Sequence, residues 1–106
     1  MTLGKPTGDL IRDVKWASDF QLNLQSTSSI AITVNRQDGN LIPELHVLDV
    51  TGKELAFAEH DSTFAAATIK SFSPPAAGTY YIVVSRLNNH AGDSAGSFTL
   101  LVSPTN

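Results

Sequence analysis

The chain has 106 residues, of which 42% are apolar and only 16% charged, and its net charge is −3. This length and hydrophobicity suit one globular domain with its own core and exclude a disordered chain. The seven Lys and Arg residues are scattered singly, which excludes the basic patch of a nucleic-acid-binding protein, and the lack of cysteine excludes disulfides and thiolate chemistry. The longest wholly apolar run, residues 80–84, is far too short to span a bilayer, so no membrane partner is expected either.

Residues 1–7 contain Gly4 and Pro6 and are predicted to form a linker or a loose arm before the domain. They lack a basic segment followed by an apolar one, so any secretion signal is expected to lie outside this sequence. Ser, Thr and Asn supply much of the polar surface in place of charges, which is typical of extracellular bacterial modules. We therefore expect a secreted or cell-surface protein, with one domain over residues 8–103 and a short tail at 104–106.

Alternation of apolar and polar residues predicts the first strands. Residues 8–13 are expected to form a short edge strand, and a second strand starts at residue 16. One face of that second strand consists of Trp16, Ser18, Phe20, Leu22 and Leu24. After a polar turn at 25–28, Ile30, Ile32 and Val34 alternate with small residues. Period-2 patterns of this kind predict strands with one face on the core, and we expect these two strands to pair as a hairpin.

A β-hairpin is predicted in the middle of the chain. Residues 44–48 form one strand, Asp49 to Gly52 supply the turn, and residues 53–58 return. Before it, residues 35–40 are predicted to be a loop, and Pro43 makes residues 41–42 a poor central strand. Pro43 and Lys53 are the candidates for protecting exposed sheet edges.

Residues 64–69 contain three alanines, which suit a helix, but the segment is short and flanked by strands. We interpret it as a loop followed by a strand. The corner at 74–78 (PPAAG) then feeds residues 78–85 (GTYYIVVS), which are apolar on both faces and are therefore expected to lie centrally in a sheet.

Residues 87–96 are predicted to be an exposed loop, and residues 97–102 the last strand, which Pro104 ends. The whole pattern has about seven to eight short strands, turn residues between them and no convincing helix. It predicts an all-β fold, an antiparallel β-sandwich.

Four segments together resemble one family. Residues 45–56 (LHVLDVTGKELA) resemble its hairpin, residues 77–84 (AGTYYIVV) its central strand, and residues 19–22 (DFQL) its opening strand. Residues 96–102 (GSFTLLV) resemble its closing strand, with Phe98 where tyrosine is usual. Over roughly residues 8–103, the chain is similar to the bacterial pre-peptidase C-terminal (PPC) domain.

The resemblance implies a jelly-roll-like β-sandwich attached to secreted proteases, chitinases and other polymer-degrading enzymes. It also implies a non-catalytic domain, which in some members is removed after secretion. Relatives include collagen-binding and carbohydrate-binding modules, some with calcium near the N-terminal strand. Those relatives have clustered acids before the first core strand, whereas Asp9, Asp13 and Asp19 of this chain are separated by apolar and basic residues.

No catalytic residues are predicted, and the chain is not expected to be an enzyme. His60, Asp61 and Ser62 supply the three residue types of a hydrolase triad, but neighbouring side chains point apart and no nucleophile elbow is present. Without a catalytic role, His60 is expected to be a solvated loop residue and His46 an outward-facing strand residue. A buried contact between serine, histidine and a carboxylate would favour a small hydrolase.

A polymer ligand would need exposed aromatic rings on which to stack, and the candidates are Trp16, Tyr80 and Tyr81, with Phe64 as a further ring. Because of strand alternation, only one of Tyr80 and Tyr81 can face the core fully. For Trp16, core packing is the favoured expectation over a role in ligand binding.

No resident cofactor is expected; calcium is the metal that the loops would hold, through oxygen ligands from Asp38, Asn40 and Asp93. Asp and Asn are also what turns require for their backbone geometry, so the same residues fit a purely structural role.

The sequence thus supports an accessory domain of a secreted bacterial enzyme that binds an extracellular polymer, either polysaccharide or fibrous protein, or assists secretion and folding of its parent. The alternative is a structural or adhesive repeat module of a bacterial surface protein with no ligand of its own. The expected partners are the parent catalytic domain and the polymer, and the chain is expected to be a monomer or an edge-paired dimer.

Overall fold

The computed structural model describes residues 7–11, 17–86 and 95–105. In these ranges the secondary structure consists of eight strands: β1 (Thr7–Ile11), β2 (Ala17–Leu24), β3 (Ile30–Arg36), β4 (Pro43–Leu48), β5 (Glu54–Ala58), β6 (Ala66–Phe72), β7 (Gly78–Arg86) and β8 (Gly96–Pro104). Among the described residues, no helix is long and apolar enough to cross a membrane.

The strands form two four-stranded antiparallel sheets. The first sheet has the order β1-β8-β3-β6 and the second sheet the order β2-β7-β4-β5. Every consecutive pair of strands except β4 and β5 is split between the two sheets, which is the connectivity of an eight-stranded jelly roll. The predicted jelly-roll-like β-sandwich is confirmed.

The core lies between the sheets and is built from alternate residues of each strand. Strand β7 runs between β2 and β4, so the central position predicted for residues 78–85 is confirmed. Phe20 of the second sheet meets Phe98 of the first edge-to-face, with ring centroids 6.1 Å apart. The buried apolar side chains are Ile11, Leu22, Leu24, Ile30, Ile32, Val34, Leu41, Leu45, Val47, Ala67, Ile69, Phe72, Tyr80, Ile82, Val84, Phe98, Leu100 and Val102.

Two expectations about pairing are wrong. Strands β2 and β3 do not form a hairpin, because β2 pairs with β7 whereas β3 pairs with β6 and β8 in the other sheet. The polar connection between them crosses from one sheet to the other. Pro43 does not protect an edge, since it opens the internal strand β4 opposite Arg86. A proline is tolerated there because the first residue of a strand need not donate to the ladder.

The remaining strand predictions in the described ranges are confirmed, including the β4–β5 hairpin and the strand assignment of the alanine-rich segment. In β6 the pairing register shifts opposite residues 30–32, so Phe72 is buried and Ser71 exposed. The predicted loop at 87–96 lies mostly outside the described residues.

Candidate functional site

Tyr80 is a core residue, and this corrects its selection as a ligand-binding ring. Its side chain is 5% exposed and packs edge-to-face on Phe72. The hydroxyl donates to the carbonyl oxygen of Ala76 at 2.6 Å, four residues earlier in the corner before β7. This arrangement is a tyrosine corner, in which a tyrosine near the start of a strand fastens the preceding turn. A buried ring fixed in this way cannot stack on a polymer.

Asp38 and Asn40 hold two loops together. Asp38 Oδ1 accepts a hydrogen bond from the backbone N–H of Ser97, and Asn40 Oδ1 accepts one from Ala95, both at 2.9 Å. These bonds to Ser97 hold the pKa of Asp38 below its ordinary value. The loops approach so closely at Gly39 that a Cβ there would lie 2.4 Å from the carbonyl oxygen of Ala95.

The third predicted metal ligand, Asp93, and the predicted ligand-binding Trp16 lie outside the described residues. In the part of the chain that the structure describes, no three His, Asp or Glu side chains are grouped so that they could hold a metal ion. Asp38 Oδ1 and Asn40 Oδ1 instead accept hydrogen bonds from the backbone N–H groups of Ser97 and Ala95. Calcium binding stays a prediction.

Tyr81 lies on the solvent side of the second sheet, which we call the outer face. It stands opposite Leu48 of β4 and Gln21 of β2. In the next row, Val83 stands opposite His46 and Asp19, and Phe57 of β5 extends that row beyond His46. Directly opposed side chains in an antiparallel pair are in contact range, so these residues form one continuous mixed surface.

Phe57 is the most exposed ring of the outer face. Its side chain is 46% exposed and lies against the His46 imidazole, with ring centroids 4.9 Å apart. Tyr81, Val83 and Leu48 are half-buried because their neighbours on adjacent strands cover them in part. The outer face therefore carries a strip of apolar and aromatic side chains that is accessible to a ligand.

A β-bulge places Glu54 on the outer face. The register of β4 and β5 shifts between Val47 and Leu48, so that Glu54 instead of Leu55 stands opposite Leu48. Bulges commonly re-aim a side chain in this way. Glu54 Oε1 then lies 2.6 Å from Nδ1 of His46, and Nε2 of the same ring lies 3.1 Å from Oγ of Ser85.

Ser85, His46 and Glu54 thus follow the order of a hydrolase triad, in which a carboxylate orients the imidazole and the imidazole faces a hydroxyl. Ser85 is only 1% exposed and sits in β7 with a strand paired on either side. Its own ladder occupies the backbone N–H groups that would have to stabilise an oxyanion. The geometry is therefore that of a hydrogen-bonded chain that fixes the orientation of His46.

Asp61 and His60 do not form the triad that their sequence neighbourhood allowed. The carboxylate of Asp61 accepts hydrogen bonds from the backbone N–H and the hydroxyl of Thr63, which closes a turn and lowers the pKa of Asp61. His60 is half-buried and not solvated as expected, and its ring stacks on Phe64 at 4.7 Å. Phe64 itself is 52% exposed and has a φ of 59°, an uncommon backbone conformation for a bulky residue.

Carboxylates border the strip at its β5 end. Burial raises the pKa of Glu44 above its ordinary value, the negative charge of Glu59 adds to the rise, and His46 and His60 oppose it. Glu59 itself is exposed and directly follows the last residue of β5, two residues after Phe57, and its charge acts on Glu44 of β4. The outer face thus combines aromatic rings with free carboxylate charge.

Sequence reasoning found Tyr81 but missed Phe57, His46 and Leu48 as parts of one surface. Each stands at an outward position of the β4–β5 hairpin, and alternation within the predicted strands was the available signal. The bulge at Leu55, which decides the position of Glu54, leaves no mark in the sequence pattern.

No family model matches the sequence, and the search of curated proteins finds no match. Solved structures do match. The pre-peptidase C-terminal domain of collagenase from Bacillus anthracis is 16% identical, with 94% of this chain and 89% of that chain covered and a TM-score of 0.72. CorA, a surface-associated copper-binding protein of Methylomicrobium album BG8, is 12% identical, with 93% of each chain covered and a TM-score of 0.62.

A carbohydrate-binding module, CBM35 of Abf62 from Cellvibrio japonicus, is 16% identical, with 85% of this chain and 70% of that chain covered and a TM-score of 0.50. At identities this low, the similarities establish the fold. The resemblance to the PPC domain that the hairpin and strand motifs predicted is confirmed at that level.

Proposed function

We propose that this chain is a non-catalytic accessory domain of a secreted bacterial enzyme and that its outer face binds an extracellular polymer. The observation that carries the proposal is the strip of Tyr81, Val83, His46 and Phe57 on one sheet face. Apolar surface left accessible in this way commonly marks an interaction site. The fold-level similarity to an accessory domain of a collagenase and to a carbohydrate-binding module supports the same conclusion.

The dimensions of the strip suit a chain-like ligand. Strands in a sheet lie about 4.8 Å apart, so Tyr81 on β7 and Phe57 on β5, two strands away, are separated by roughly 10 Å across the sheet. The intervening side chains of Leu48 and His46 belong to β4 and keep the surface continuous. An open sheet surface of this extent fits consecutive units of a polymer better than a compact small molecule, which requires a concave pocket.

The proposal places the protein outside the cell or at its surface, attached to a catalytic parent domain. Its ligand is either a polysaccharide or a fibrous protein. The competing function is a structural or adhesive repeat that recognises nothing by itself, and the two functions predict opposite outcomes in a binding experiment.

The test is retention of the purified chain on insoluble chitin, cellulose, starch and collagen. We expect retention on at least one polymer and loss of that retention in Phe57→Ala and Tyr81→Ala. Thr68→Ala, on the exposed side of β6 in the other sheet, is the matched control and should bind as the parent chain does. Retention that persists in both aromatic variants would refute the outer face as the site, and no retention on any polymer would favour the structural repeat.

The same experiment is run with calcium and with chelator. Because Asp38 and Asn40 already use side-chain oxygens to hold Ser97 and Ala95, we expect chelation to leave retention unchanged. Retention that requires calcium would show that a metal takes part.

A further inference from the structure

We infer that the polymer bound by the outer face is positively charged, an aminopolysaccharide of the polyglucosamine class, and that Asp19, Glu54 and Glu59 pair with its ammonium groups. The inference rests on the proposed function and narrows its ligand. It comes from the distribution of charge around the aromatic strip.

Charge is distributed unevenly in this chain. Residues 44–61, which include β4 and β5, contain five of the ten acidic residues and only one of the seven basic residues, Lys53. Strands β2, β4 and β5 contain no Lys or Arg. The basic residue of β7, Arg86, is 2% exposed and alternates with Tyr81 and Val83, so it belongs to the opposite side of the strand. An anionic polymer would therefore meet net repulsion from the described side chains of the outer face.

The carboxylates of the outer face differ from the acids elsewhere in their availability. Asp49 and Asp61 each accept a hydrogen bond from a backbone N–H group of their own loop, and Asp38 accepts one from the backbone N–H of Ser97 in β8. In contrast, Asp19 and Glu59 are exposed on either side of the strip. Glu54 is 50% exposed although it contacts His46. Three carboxylates thus remain accessible to a ligand that lies across the sheet.

The rings and the carboxylates suit the two chemical parts of an amino sugar. The C–H face of the sugar can lie on Phe57 and Tyr81, and a protonated amine beside it is attracted both by carboxylates and by the negative face of an aromatic ring. Exposed charge pairs are weak individually, so each carboxylate is expected to contribute about two- to five-fold in affinity. A polymer engages several pairs at once, which multiplies these small factors.

A polysaccharide fits the outer face better than a cationic polypeptide does. Strands β7 and β4 are internal and paired on both sides, so the middle of the face offers no free backbone groups. Extended polypeptides gain much of their affinity on sheets by pairing with an edge strand. Recognition in the middle of this face must therefore come from side chains, and stacking rings bordered by carboxylates supply it.

The test compares chitin with chitosan, which share one backbone and differ in carrying acetamide or amine groups. At a pH at which the amines are protonated, we expect tighter binding to chitosan and a decrease in that binding as salt is added. Glu54→Gln and Glu59→Gln should each weaken binding to chitosan about two- to five-fold and leave binding to chitin unchanged. Thermal unfolding confirms that the variants are folded.

A charge-restored variant distinguishes the effect of a carboxylate's position on the outer face from the effect of the net charge of the chain. Glu59→Gln combined with Thr68→Glu has the net charge of the parent chain, but its new carboxylate lies on the other sheet. We expect it to bind chitosan as weakly as Glu59→Gln alone. Recovery of parental binding would overturn the inference, because net charge and not position would then control affinity.

The remaining outcomes distinguish this inference from the proposed function. Equal, salt-independent retention on chitin and chitosan that is lost in Phe57→Ala would overturn the charge inference and leave polymer binding intact. Displacement by polylysine at concentrations where chitosan oligosaccharides do not compete would identify a polypeptide ligand and also overturn it. If neither polymer is retained, nor any other in the panel, both the inference and the proposed function fail.

Discussion

Replacing Tyr80 with phenylalanine tests whether the tyrosine corner stabilises the fold. The ring would stay in the core against Phe72, since only the hydroxyl is removed. What is lost is the bond from that hydroxyl to the carbonyl of Ala76 at 2.6 Å, together with a longer bond of 3.4 Å from the N–H of Ala76.

The expected loss of stability in Tyr80→Phe depends on whether water can reach the backbone groups of Ala76. A typical intramolecular hydrogen bond contributes about 0.5–1.5 kcal/mol net, and more when its loss leaves a buried group unsatisfied. Ala76 is exposed, so water can replace the hydroxyl at its carbonyl. We therefore expect Tyr80→Phe to lower the free energy of unfolding by about 1 kcal/mol, which corresponds to a decrease in Tm of roughly 4–8 °C for a domain near this size.

The assay is urea denaturation of Tyr80→Phe and of its neighbour Tyr81→Phe, which removes a hydroxyl from the outer face. Tyr81→Phe should change stability by less than about 0.5 kcal/mol, as is usual for surface substitutions, and both variants should keep the m-value of the parent chain. An unchanged midpoint for Tyr80→Phe, or an equal loss in Tyr81→Phe, would refute the structural role assigned to the corner.

Four further substitutions test the core, the loop contact with its control, and the buried carboxyl. Leu45→Ala leaves a cavity at a fully buried position between the sheets and should lower the free energy of unfolding by about 2–5 kcal/mol, measured by thermal unfolding. At Gly39 the φ is 73° and an added Cβ would lie 2.4 Å from the carbonyl oxygen of Ala95, so Gly39→Ala should lower the free energy of unfolding by about 1–3 kcal/mol. Gly52→Ala is the control, because Gly52 has a φ of 88° but open space where a Cβ would lie, and its loss of stability should be smaller. The pKa of Glu44 is raised in the folded state because burial makes its ionised form unfavourable. At neutral pH, Glu44→Gln removes that buried charge and should increase the free energy of unfolding. Below the ordinary carboxyl pKa, Glu44 is protonated in both the folded and the unfolded state, so the gain should disappear. Equal stability of Glu44→Gln and the parent at neutral pH would contradict the burial argument.

The strands were predictable because their side chains alternate. In β7, both faces of the strand are apolar and uncharged, which indicated a central strand. Sheet membership was not predictable. The polar residues between β2 and β3 are compatible with a tight hairpin and with a crossing to the other sheet, and the crossing is what the jelly-roll order requires.

The candidate site was predictable only in part. Alternation required that one of Tyr80 and Tyr81 point outward, but nothing local decides which, because both lie in the same apolar run. The tyrosine corner determines which of the two tyrosines points inward, because it is the hydroxyl of Tyr80 that bonds to the carbonyl oxygen of Ala76. The neighbours of Tyr81 on the outer face come from other strands, and their register depends on a bulge that no sequence pattern predicts.

The central claim is that the outer face of the second sheet binds a polymer, and it is tested most directly by amide NMR during titration with a soluble chitosan oligosaccharide. The account predicts that the largest chemical-shift changes cluster at Phe57, His46, Tyr81 and their strand neighbours, while Thr33 and Thr68 of the other sheet stay unchanged. Shifts confined to the other sheet would contradict it, and so would the lack of any shift with chitosan and with soluble fragments of every other polymer in the panel.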